Sequence, residues 1–166
     1  MNKITAKIQI NAPHEKVWKI ISEIDNDPTY WRGITSIKNT SKEQNIITRN
    51  VFLGKDNKCQ QRVTLFPKDG IHIKLLKGPI AGVKDIIVHP FGNTTILEVE
   101  MSYTLSGVVG LFSRNAAKYL QRESELALQL IKEEAEGDQQ KPFLEERRLW
   151  ADLIHDKDNR NILFKH

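Results

Sequence analysis

The chain has 166 residues, 39% hydrophobic and 28% charged, with a formal net charge of +4. That length suits one domain with a real core, and its Lys and Arg are too dispersed to form the basic stripe that nucleic-acid binding shows. No apolar run approaches the ~20 residues of a bilayer span, and the opening MNKITAKIQI lacks the apolar segment of a signal peptide, so a cytoplasmic protein is expected.

From Ile8 to Trp31 the sequence IQINAPHEKVWKIISEIDNDPTYW reads as a strand followed by two short helices. The first helix is expected to open on Pro13, where the missing amide would have had no intrahelical partner. Glu15 then lies in the first turn, where the helix dipole favours a carboxylate. Val17, Ile20, Ile21 and Ile24 recur at the spacing of one buried helical face. Asp27-Pro28 restarts a helix, with Asp27 as its expected N-cap, and that helix closes on Tyr30-Trp31.

The pattern then turns to period two. Strands are expected over Arg32 to Asn39, Ile46 to Gly54, Lys58 to Pro67, Gly70 to Lys77, Val83 to Pro90 and Thr94 to Leu105. Turn chemistry separates them, as at Lys68-Asp69-Gly70 and Phe91-Gly92-Asn93. Such short breaks imply antiparallel hairpins. In the last strand Leu97, Val99, Met101 and Tyr103 share one face, as do Ile71, Ile73 and Leu75, Val63 and Leu65, and Val51 and Leu53. A sheet with one apolar face needs a cover. The helix expected from Gly110 to Glu136 provides it, with a stripe through Val109, Phe112, Ala116, Leu120, Ala127, Leu130 and Ile131.

Beyond the hinge Gly137-Asp138-Gln139-Gln140, PFLEERRLWADLI predicts a short amphipathic helix. The segment 137–166 would then fold back onto its own domain or serve as a dimerisation or partner helix. As a dimerisation helix it would make a homodimer.

Strand, two short helices, a run of strands and a final long helix is an uncommon order. With Ile8-Gln9-Ile10, Ala12-Pro13, Val17-Trp18 and Tyr30-Trp31, it resembles the START-like (SRPBCC) superfamily of polyketide cyclases, aromatases, lipid-transfer proteins and plant carriers. The resemblance covers residues 3–136. It implies an α+β helix-grip fold: a seven-stranded curved antiparallel sheet around a long C-terminal helix, with two short helices after the first strand. It also implies an internal cavity, where periodicity alone would equally permit a solid core. Gly107 and Gly110, just before the helix, match the flexible loop at the mouth of the cavity in that family.

One residue stands out in the long helix. At about 100° per residue, Glu123 falls within the apolar stripe and would face the cavity. An unpaired carboxylate there is costly, so it should be neutral or find a donor. Arg49, in register with Ile47 and Val51, and Tyr103 are the expected partners. Glu123 could be a satisfied internal pair, a group reaching solvent at the cavity mouth, a ligand anchor, or an acid acting on an enolisable substrate. The aromatics Tyr30, Trp31, Phe52, Phe66, Phe91, Phe112 and Tyr119 are expected in the core or the cavity lining.

None of the five histidines pairs with another ligand at metal spacing, so neither a metal nor a cofactor is expected. His89 lies in a strand apolar on both sides, and its direction stays open. The single Cys59 reads as a small strand residue rather than a nucleophile. No catalytic pair is evident. The expected function is therefore binding, and transport, of a hydrophobic small molecule or lipid. Its contact residues would be Glu123, Arg49, Tyr103, Met101, Phe112, Tyr119 and Trp31. Transient contact with an anionic membrane surface would suit a carrier. A cyclase or aromatase-like enzyme, with cyclase/dehydratase-type acid–base chemistry, and a ligand-free interaction module are the competing readings.

Overall fold

The computed structural model describes residues 2–106 and 113–137. Expectations for Val109, Phe112, the Gly107–Gly110 loop and the tail helix fall outside those residues. Seven strands form one sheet: β1 (Asn2–Ile10), β2 (Ile34–Glu43), β3 (Ile46–Leu53), β4 (Asn57–Phe66), β5 (Gly70–Lys77), β6 (Ile80–Phe91) and β7 (Thr94–Leu105). Their spatial order is β1-β7-β6-β5-β4-β3-β2, and every neighbouring pair is antiparallel. Helix α1 (His14–Ile21), a 3-10 turn (Ile24–Asn26) and α2 (Asp27–Tyr30) follow β1, and α3 (Ser113–Glu136) follows β7. This is the expected helix-grip architecture.

The inward face follows from alternation. Ile4, Ala6 and Ile10 on β1 are buried opposite Met101, Val99 and Thr95 on β7. One row of register partners runs Ile47–Val63–Ile73–Lys84–Met101–Ile4 across six strands. Five of its members are buried hydrophobics, and Lys84 is the exception. At the edge, β2 is mostly exposed and carries Lys38 and Lys42, charges that discourage edge pairing.

Helix α3 buries Ala116, Leu120, Ala127, Leu130 and Ile131 as expected, together with Tyr119, Leu126 and Leu128. It packs chiefly on β1 and α1, with slighter contact to α2 and β7. Val17, Ile21 and Ile24 are buried in the larger core cluster, with Ile20 packed at its margin. A smaller cluster gathers Ile4, Ile80, Met101, Tyr103, Ala116, Tyr119 and Leu120.

Three local expectations are corrected. Pro13 is the N-cap of α1 rather than its first residue: its backbone is extended, φ −67° and ψ 154°, and its carbonyl accepts from Lys16 N–H at 3.0 Å. Asp27 is not an N-cap; that position is Asn26, and the Asp27 carboxylate is taken by a stronger, cationic partner. Phe66 and Phe91 are not in the core. They stand at hairpin ends, 50% and 63% exposed, where the chain turns away from the grip.

Candidate functional site

A partly open cavity of about 50 Å³ lies where the two core clusters meet. Ile34, Leu53, Leu75, Ile80, Met101 and Leu120 make its apolar walls, and Lys84, Glu123, Gln61 and Ser124 its polar ones. Cys59 completes the lining, and burial pushes its thiol up to about 11, which keeps it protonated.

Glu123 comes from the middle of α3 and points inward, as its helical phase requires. Its carboxylate accepts hydrogen bonds from the Gly33 backbone N–H and the Tyr119 hydroxyl. Gly33 must be glycine for this approach, because a Cβ there would overlap Glu123 Oε2. Burial raises the Glu123 pKa above the usual carboxylate range, opposed by the Lys84 charge and these two donors.

Lys84 is the cation the sequence reading missed. It shares the inward face of β6 with Ile86 and Val88, so its ammonium lies under the grip. The Nζ sits 3.2 Å from the centre of the Trp31 ring, a cation–π contact. Burial lowers its pKa to about 8, against the opposing pull of Glu123 and Asp27. The alternation Lys84-Ile86-Val88 carried this signal, but the apolar residues on the strand's other side obscured it.

Arg49 does not pair with Glu123. Its Nη2 donates to Asp27 Oδ2 at 2.7 Å, its Nη1 to Ile24 O at 3.1 Å, and its Nε to Gln61 Oε1 at 3.1 Å. The side chain is 1% exposed, so all its charge is answered by protein. Arg49 thereby ties β3 and β4 to the turn and helix after β1. Burial raises the Asp27 pKa, opposed by the charge and hydrogen bond of Arg49.

The other expected contact residues divide. Met101 lines the cavity, and Trp31 and Tyr119 are buried against Lys84 and Glu123. Tyr103 is fully buried in the smaller cluster, where its hydroxyl has no hydrogen-bond partner among the described residues. Phe112 lies outside those residues. His89 faces outward and pairs with Glu98 at 3.0 Å, and His72 pairs with Asp85. Among the described residues no three His, Cys, Asp or Glu side chains converge on a metal position. No described helix is long and apolar enough to cross a membrane.

Solved structures share this architecture. TTHA0849 from Thermus thermophilus superimposes with a TM-score of 0.70 at 17% identity, covering 80% of this chain and 95% of that one. The Zhui aromatase/cyclase from a Streptomyces species gives 0.67 at 14% identity, over 81% and 93%. A START superfamily protein from Mycobacterium smegmatis gives 0.56 at 15%, over 74% and 94%. At these identities the likeness speaks for the fold alone. No match was found among curated protein sequences. Residues 1–136 match the family described as polyketide cyclase / dehydrase and lipid transport, and the chain belongs to that family.

Proposed function

We propose that this protein binds a hydrophobic small molecule or lipid between the sheet and α3. The observation that carries the reading is a cavity wall made mostly of apolar side chains, with Lys84 and Glu123 among its few polar ones. Apolar burial would supply most of the affinity, at ~25 cal/mol per Å² before ordering costs. The charged pair would orient the ligand's polar end.

At about 50 Å³ the cavity holds a few atoms, well short of a ~300 Å³ ligand site. A larger ligand therefore has to part α3 from the central strands.

Titration with fluorescent fatty acids and polyaromatic dyes tests the reading. Saturable binding is expected, weakened by at least about tenfold, or 1.4 kcal/mol, in Met101→Trp, whose indole fills the cavity. A wild type that saturates with none of these probes overturns it.

A further inference from the structure

We infer that the Lys84 ε-amine condenses with the carbonyl group of a small aldehyde or ketone in this cavity and holds it as a protonated Schiff base. The inference rests on the cavity reading above and names the chemical class of the ligand. Three features converge on it: Lys84 lines the cavity, Trp31 lies 3.2 Å beneath its nitrogen, and Glu123 lines the same space.

Each feature answers a chemical need. The neutral amine attacks the carbonyl carbon with its lone pair; the new C–N bond forms as the C=O π pair moves to oxygen. A proton passes from nitrogen to that oxygen, giving a carbinolamine. Protonated Glu123 then gives its proton to the carbinolamine hydroxyl, the C–O bond breaks, and water leaves. The product is an iminium whose positive charge remains over the Trp31 face, with the Glu123 carboxylate as counter-ion.

The electrostatics favour both partners. With Lys84 at about 8, about a quarter of the amine is neutral at pH 7.5, against roughly one part in a thousand for an ordinary lysine. Glu123 is shifted the other way, toward the protonated form that the dehydration step needs. Asp27 and Arg49 also act on the Lys84 charge, with opposite signs. The cavity's present size selects short carbonyl compounds unless α3 moves.

The test is reductive trapping on the full chain. Protein is incubated at pH 7.5 with propanal and sodium cyanoborohydride, and N-propylation is mapped by peptide mass spectrometry. Lys84 is expected to be modified at least about tenfold faster than any other lysine, from its larger neutral fraction. Glu123→Gln should slow Lys84 labelling by about a hundredfold, the scale of a general acid, with the far-UV circular dichroism of the wild type retained. A dye that occupies the cavity should protect Lys84. Labelling of Lys84 no faster than surface lysines, with dye binding intact, overturns the Schiff base and leaves the cavity reading standing. Failure of both labelling and dye binding overturns the two together.

Discussion

Arg49 Nη2 lies 2.7 Å from Asp27 Oδ2, joining the centre of β3 to the start of α2 through a pair with little access to water. Removing one partner strands the other charge in the core. Arg49→Met or Asp27→Leu alone should therefore cost about 3–5 kcal/mol, and the double variant far less than their sum. Urea unfolding of the four proteins measures this; additive losses would show that the two charges are not coupled.

The same pair shows what the sequence could and could not disclose. Alternation placed Arg49 inward correctly, and helical phase did the same for Glu123. Periodicity assigns faces within one element; it does not say which inward groups meet. Arg49 and Asp27 are 22 positions apart and lie on a strand and a helix whose relative placement only the packed sheet defines. Lys84 was missed because β6 is apolar on both sides, so no contrast between faces marked its direction. The hairpins were legible since Gly, Asp and Asn at the breaks carry turn chemistry locally. Aromatic content gave no direction at all, which is why Phe66 and Phe91 were wrongly placed inside.

Gly33 and Glu123 should be coupled. Gly33→Ala forces the Glu123 carboxylate aside, weakening its bond to the Gly33 N–H, at an expected cost of about 1–2 kcal/mol. In a Glu123→Ala background only the Tyr119 hydroxyl, 3.3 Å from the added Cβ, has to give way, and the methyl should cost under about 0.5 kcal/mol. Thermal unfolding of the double-mutant cycle reads this directly. Equal losses in both backgrounds would place the strain elsewhere.

Lys84 should leave a signature in alkaline stability. Its pKa falls from 10.5 when unfolded to about 8 when folded. Between those values the unfolded chain binds more protons, so this residue's contribution makes stability rise with pH. Below about 8 both states are charged, and the burial penalty is present in full. Lys84→Met removes the group, so its stability advantage over wild type should shrink by about 1–3 kcal/mol from pH 7.5 to pH 10. Comparing the two proteins cancels the opposing titrations of Cys59 and Tyr103. A difference that stays flat over this range would mean that Lys84 keeps its ordinary pKa.

Tyr103 carries a buried hydroxyl with no partner among the described residues, on a side chain 0% exposed. Leaving such a group unsatisfied costs roughly 1–3 kcal/mol. Tyr103→Phe keeps the ring and its packing against Met101 and Leu120 while deleting the oxygen. The variant should be more stable than wild type by about 1 kcal/mol in urea unfolding. Tyr103 lies outside the cavity lining, so Tyr103→Phe should leave the affinity for a fatty-acid probe within about twofold of wild type. Stabilisation without loss of affinity would make Tyr103 a packing residue. A destabilised variant would show instead that the hydroxyl has a stabilising partner in the folded protein.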